Sequence, residues 1–282
     1  MTDVVTVRGA RIRVHATGDP QDPPVLLLHG IGRSLEDWLP QHDRLSGSHR
    51  VLSVDMPGFG LSDRLDEPVT LDSLAGGVED TLAALDEDRP VHVMGNSLGG
   101  AVAMRMLVRD PDRIATLTLV NSAGFGKEVA FALRVLAIPG LGPRLLRRMN
   151  RRAAWRVERS LFVDRALVTE ERVDFALKVA ARPEHARVFL ETAKSLGSFR
   201  GIRPAWRSEL VTQVAELRKP TLVVWGERDL ILPSSHLAAA RTLLPHAESH
   251  LFPGTGHMPQ IERADDFAAL VRSFLAVRSQ KS

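Results

Sequence analysis

Short, largely apolar runs, each closed by a glycine or a small polar residue, recur along this chain with helical patterns between them. That alternation restricts the fold more than any other feature. Successive side chains of a strand point to opposite sides of a sheet, so a run that is apolar at every position belongs to a strand buried on both faces. Residues 24–28 form such a run, and 51–54, 91–94, 114–120 and 221–225 approach it, broken only by Ser53, His92, Thr116, Thr118 and Thr221. They end respectively at His29-Gly30, Asp55, Gly95-Asn96-Ser97, Asn121-Ser122 and Gly226. Two short strand signals, 4–7 and 12–15, precede them around a turn at Arg8-Gly9-Ala10, and 250–252 reads as a last strand. Between the runs, residues 71–85 carry apolar side chains at 71, 74, 78, 82 and 85, one face of a helix. Further helices are expected at 98–108, 234–244 and 265–277, the last with Phe267, Leu270, Val271, Phe274 and Leu275 as its buried stripe. Strand and helix in alternation predict an α/β fold, a parallel sheet flanked by helices.

One stretch breaks the alternation. From 125 to 207 no buried strand is legible, and helical patterns follow one another at 129–137, 142–148, 153–162, 170–181 and 183–196. The expectation is an all-helical cap inserted between two sheet strands, dividing the chain into core 1–124, cap 125–207 and core 208–282. Ligands of open α/β sheets bind beyond the carboxyl ends of the strands, where such an insertion sits. The apolar face Phe131, Leu133, Leu136 and Ile138 is expected to pack on the sheet, with an acyl-pocket wall as its alternative. Arg144, Arg147, Arg148, Arg151, Arg152, Arg156 and Arg159 are expected on the solvated face of amphipathic cap helices. Weak interfacial contact with anionic lipid, or capture of an anionic substrate, is the alternative, permitted by Trp155 beside the arginines.

The segment Gly95-Asn96-Ser97-Leu98-Gly99-Gly100 carries the chemistry. It is G-x-S-x-G placed where a strand turns directly into a helix. The turn is tight enough to strain the serine backbone, and glycines two before and two after keep side chains out of the corner. The hydroxyl then stands above the sheet at a helix N-terminus, which favours developing negative charge. A serine hydroxyl needs a base, and the base needs an orienting carboxylate. The required order of serine, acid and histidine is met by Ser97, Asp229 in Gly226-Glu227-Arg228-Asp229, and His257 in Gly256-His257-Met258-Pro259. Glu227 competes with Asp229 but stands closer to its strand. His92 lies inside a strand, His185 on a helix, and Asp112 at the wrong end of its strand. Two backbone donors for an oxyanion are expected from Leu98 and, in the loop His29-Gly30-Ile31-Gly32, from Ile31. Gly30, Phe125 and Met258 are candidates for contact with substrate, and His29 is expected to be structural.

These segments, with Asp55-Met56-Pro57-Gly58-Phe59-Gly60-Leu61-Ser62, make the chain resemble the α/β-hydrolase-fold serine hydrolases across nearly its whole length outside the insertion. The resemblance implies a mostly parallel eight-stranded sheet with a helical cap, and no metal or organic cofactor. It implies cleavage of a carboxylic ester or related acyl substrate. An aspartate nucleophile would mark dehalogenases and epoxide hydrolases of this fold, and the residue here is Ser97. Cap segments Val168-Thr169-Glu170-Glu171 and Arg182-Pro183-Glu184-His185 are similar to meta-cleavage-product hydrolases, which split carbon–carbon bonds. Those enzymes carry Trp directly after the catalytic His and an Arg on a cap helix; here Met258 follows His257, and residues 173–178 hold no Arg. Non-enzymatic ligand-binding members of the fold are set aside because all three triad residues are present.

Composition excludes several other classes. The 282 residues include no cysteine, so there is no thiol nucleophile, zinc finger or thiolate-ligated cluster. A net charge of +3 is too small for a nucleic-acid-binding face. No apolar run approaches the ~18 residues of a membrane span, and Met1-Thr2-Asp3 does not open a signal peptide. The expected setting is the cytoplasm and the expected partner a small molecule.

Overall fold

A computed structural model describes residues 2–138, 140–146 and 149–279, with side chains to 276. Arg147 and Arg148 of the arginine series lie outside the described residues. The strands in chain order are β1 (Thr2–Val7), β2 (Ala10–Thr17), β3 (Pro24–Leu28), β4 (Arg50–Val54), β5 (Val91–Asn96), β6 (Ile114–Val120), β7 (Gly197–Ser198), β8 (Gly201–Ile202), β9 (Thr221–Gly226) and β10 (Glu248–Phe252). Eight of them form one sheet in the order β1-β2-β4-β3-β5-β6-β9-β10. β2 runs antiparallel to both its neighbours, and the pairs from β4 to β10 are all parallel. The mostly parallel sheet flanked by helices, expected from the apolar runs, is the one observed, with the eight strands that the resemblance implies.

The apolar runs divide their side chains between two cores. Leu26, Leu28, Leu52, Val54, Val93, Leu117, Leu119, Val223 and Trp225 face one side. Val25, Leu27, Val51, Met94, Val120, Leu222 and Val224 face the other. The first side is covered by α2 (Leu71–Ala83) and α3 (Leu98–Arg109), the second by α1 (Leu39–Leu45) and the C-terminal helix. The expected stripes are in place: Leu71, Leu74, Val78 and Leu82 are buried on α2, as are Phe267, Val271, Phe274 and Leu275 near the C-terminus. Thr70 caps α2 by a reciprocal pair, its Oγ1 accepting from the Ser73 N–H while Ser73 Oγ accepts from the Thr70 N–H.

The insertion carries α4 (Phe131–Leu136), α5 (Leu141–Leu146), α6 (Arg151–Leu161), α7 (Glu170–Ala180) and α8 (His185–Leu196). It is not all helical. β7 and β8 form a small antiparallel ribbon after α8, too short and glycine-rich to leave an alternating pattern in sequence. The helix α9 (Pro204–Leu217) runs through the expected boundary at 207, with Leu210, Val211 and Val214 in the core beside α3. α10 (Ser235–Leu243), α11 (Pro259–Glu262) and α12 (Ala264–Ser279) complete the chain. The expectation that the α4 face packs on the sheet fails at Phe131, which is 65% exposed.

Cap and core are joined by two buried carboxylates and two partly buried arginines. Arg33 and Asp37 come from the loop after β3, Glu158 from α6 and Arg172 from α7. Arg33 donates to Asp37 (2.7 and 2.8 Å) and to Glu158. Arg172 donates to the same two carboxylates, at 2.9 Å to Asp37 and 3.2 Å to Glu158. Asp37 and Glu158 are almost wholly buried. Burial alone would raise the Asp37 pKa, but the two guanidiniums hold it down at about 2. Removing one member leaves an uncompensated buried charge, at a cost of about 3–5 kcal/mol. Glu158→Ala is therefore expected to lower thermal stability by that order and to make the cap susceptible to limited proteolysis before the core. A melting temperature equal to wild type would show that the ring does not hold the cap.

Three buried histidines make the core sensitive to acid. Burial pushes His29 and His92 down to about 4 and His42 to about 3. In the unfolded chain each takes a proton below about 6.5. Between pH 6.5 and 4 the unfolded state thus binds more protons than the folded one, and stability falls as pH drops through that window. His92→Asn should flatten the slope of melting temperature against pH over that range, as followed by circular dichroism. An unchanged slope would exclude His92 as a contributor.

Candidate active site

Ser97 joins β5 to α3 with φ 55° and ψ −114°, a strained conformation for a residue with a side chain. The glycines around it are required by contact. A Cβ on Gly95 would lie 2.2 Å from the Gly99 carbonyl oxygen, and one on Gly99 would lie 2.3 Å from that of Leu28. Ser97 donates its N–H to the Val120 carbonyl (3.0 Å), which ties the turn to β6.

His257 and Asp229 meet on the same rim. His257 Nδ1–H donates to Asp229 Oδ2 at 2.7 Å, with both residues buried. Asp229 Oδ1 accepts from the Ile231 and Leu232 N–H groups at 2.7 and 3.0 Å. Glu227, the competing acid, turns outward and accepts from the Gly254 N–H instead. The His257 backbone is held from both directions, its N–H donating to the Leu161 carbonyl of the cap (2.8 Å) and its carbonyl accepting from Asn96 Nδ2 (3.1 Å). Asn96 is the residue before Ser97, so one side chain links the serine turn to the histidine loop.

Asn121 is a site residue that the sequence reading passed over. It follows β6 with φ 44°, a left-handed conformation that asparagine tolerates. Its Nδ2 donates to Asp229 Oδ2 at 2.7 Å, the oxygen that His257 uses, and its Oδ1 accepts from the Gly226 N–H at 3.2 Å. The available signal was an Asn ending a buried strand level with Ser97.

The loop after β3 lies against the serine. A Cβ on Gly30 would touch Ser97 Cβ at 3.4 Å. His29 fixes this loop: its Nδ1–H donates to the Gly30 carbonyl (2.8 Å) and its Nε2 accepts from the Met56 N–H (3.1 Å). Those bonds require the neutral ring, which agrees with the lowered pKa. Among the described residues, neither the Ile31 nor the Leu98 N–H donates to a protein acceptor.

A cavity opens beside Ser97, lined by Ile31, Leu98, Ala123, Val129, Leu133, Ala137, Leu196, Ile231 and Leu232, with Thr192, Ser198 and Arg134 among its polar members. Phe125 and Met258 are not in this lining. Phe125 packs edge-on against Trp225 in the core, and Met258 packs with Leu161, Phe162 and Val168 at the cap seam. Arg134 enters the wall from α4, Nε donating to the Phe199 carbonyl at 2.7 Å. The described residues contain no group of three or more His, Asp or Glu that could hold a metal ion.

The sheet order and the strained serine at the end of β5 agree with a profile of the α/β hydrolase fold, which matches residues 23–264. The chain belongs to the α/β-hydrolase fold family. It is 34% identical over 272 residues to the dihydrolipoyllysine-residue acetyltransferase component of the acetoin cleaving system of Cupriavidus necator, covering 95% of this chain and 67% of that protein. It is 30% identical over 283 residues to 2-hydroxymuconate semialdehyde hydrolase of Pseudomonas sp. strain CF600, covering 96% and 93%. Among solved structures it is similar to a bacterial membrane phospholipase A, with TM-score 0.82 and 25% identity over 99% of this chain and 86% of that one.

Asn121→Ala should leave Asp229 short of a hydrogen bond to a charged group, worth about 1.5–3 kcal/mol. If Asp229 orients the base, kcat should fall about ten- to a hundredfold. A stability loss with kinetics unchanged would reduce Asn121 to a structural role.

Proposed function

We propose that this α/β-hydrolase is a serine hydrolase that cleaves the carboxylic ester of an apolar acid by two-step acyl transfer. The observation that supports the reading is the His257–Asp229 hydrogen bond, tied through Asn96 to the turn of Ser97, which itself lines an apolar cavity. In this reading His257 Nε2 takes the Ser97 proton as Oγ attacks the ester carbonyl carbon. Asp229 holds the ring with Nε2 toward the serine and stabilises the imidazolium. The Ile31 and Leu98 N–H groups receive the oxyanion. His257 then returns the proton to the leaving alcohol, forming the acyl-serine. Water, activated by His257, attacks the acyl carbon and releases the acid and free Ser97.

Carbon–carbon cleavage of the meta-cleavage-product type is the second reading. It is supported by the similarity to 2-hydroxymuconate semialdehyde hydrolase and by Arg134 in the cavity wall, a cation for a substrate carboxylate. Against it, Arg134 Nε is already engaged by Phe199, and the cap arginine Arg172 is turned into the buried charge ring.

The two are separated by rates on p-nitrophenyl esters from acetate to palmitate and on a 2-hydroxy-6-oxodienoate, wild type beside Ser97→Ala. The expected result is ester turnover that peaks at one chain length, falls by about 10⁴-fold or more in the variant, and exceeds turnover of the dienoate. Dienoate turnover without ester turnover would move the assignment to carbon–carbon cleavage. Ester hydrolysis retained near wild type in Ser97→Ala would remove the serine mechanism.

A further inference from the structure

The helix that walls the cavity carries a different surface on its other side. Leu133 of α4 and Ala137 at its C-cap line the cavity, while Phe131, two residues before Leu133, is 65% exposed. Phe131 stands edge-on to Phe199 of the ribbon between β7 and β8, ring centres 6.1 Å apart, and Phe199 is 47% exposed. On α5, Gly142 packs toward Leu190 of α8, while Leu141 and Leu145, one turn apart, are both exposed. A soluble protein has no internal reason to hold two phenylalanines and two leucines outward on adjoining short elements.

Among the described residues, the charged side chains of α4 and α5 are Arg134 and Arg144. Between Glu128 and Glu158 the sequence contains arginines at 134, 144, 147, 148, 151, 152 and 156, and no acidic residue. Arginines of the core, such as Arg8, Arg50 and Arg109, are paired with carboxylates. Arg134 and Arg144 donate instead to backbone carbonyls, of Phe199 and Gly140. Among the described residues, neither these two nor the exposed Arg200 has a carboxylate partner, whereas Arg151 of α6 pairs with Glu170 and Asp174. Outward aromatic and aliphatic side chains interleaved with unneutralised arginines match the boundary of an anionic bilayer, where rings enter the acyl region and guanidiniums meet phosphates.

We propose that the outer surface of α4, α5 and the β7–β8 ribbon docks on an anionic membrane. Docking sets the cavity wall against the lipid, so an apolar substrate reaches Ser97 from the bilayer without crossing water. No helix among the described residues is long and apolar enough to cross a membrane, so the contact is peripheral.

The test is sedimentation of the full chain with vesicles of phosphatidylcholine alone, or with about a third phosphatidylglycerol, at low and high salt. It reads binding and does not depend on any activity. The expected result is binding to the anionic vesicles only, weakened by salt. Phe131→Ser with Leu145→Ser should lower partitioning about tenfold, and Arg144→Glu with Arg200→Glu should lower it by about fivefold per arginine. Melting temperatures within a degree or two of wild type would show that both variants fold. Absence of binding at low salt, or binding that both variants retain in full, would overturn the proposal. So would a wild-type dimer in light scattering that Phe131→Ser with Leu145→Ser dissociates, since the face would then cover a second copy of the chain.

Discussion

The junction of β5 and α3 admits no side chain where backbone passes backbone, and the rest of the site depends on that crowding. Gly95 lies against the Gly99 carbonyl, Gly99 against that of Leu28, and Gly100 against Ser122. Only with glycine at these positions can a strand turn into a helix within one residue, and the strain falls on Ser97. The same approach brings Gly30 into contact with Ser97, and Ile31 lines the cavity together with the serine. The parallel strands beside β5 then place the loops after β3, β6 and β9 at one level. The cost of the strained serine is met by a sheet whose residues are buried on both faces.

Around this junction the polar groups form a closed chain. Asn96 links the serine turn to His257, His257 to Asp229, and Asp229 to Asn121 and to the turn at Ile231 and Leu232. Two asparagines at strand ends thus brace an acid and a base that come from distant loops. Glu262 adds a tie to the cap, one oxygen accepting from the Gly256 N–H and the other from Val163 and Asp164. The histidine loop is therefore positioned by core and cap together. Together with the buried ring of Arg33, Asp37, Glu158 and Arg172, this makes the cap part of the site's rigidity.

The exposed Phe131 and Phe199 and the buried charge ring show two uses of arginine in one cap. Arg172, desolvated beside carboxylates, fastens the insertion. Arg134, stacked on two rings and bound to a carbonyl, stays without an acid. Charge pattern alone does not separate the two, because the partners are contributed by segments far away in sequence.

The positions that the sequence by itself determined are those where local chemistry is decisive. Near-continuous apolar runs require a sheet covered on both faces, and G-x-S-x-G between strand and helix requires the tight turn at Ser97. The order of Ser97, Asp229 and His257 followed from loops at strand ends, and Asp229 over Glu227 from its distance beyond β9. What only the tertiary structure decided depends on contacts between distant segments. Asn121 and Asn96 read as ordinary strand ends until their amides met Asp229 and the His257 carbonyl. Phe125 and Met258 read as pocket residues, yet packing takes them into the core and the cap seam. The β7–β8 ribbon and the outward turn of Phe131 left no periodicity to read. An apolar side chain declares in sequence that it avoids water, but which surface covers it is settled only when the elements pack.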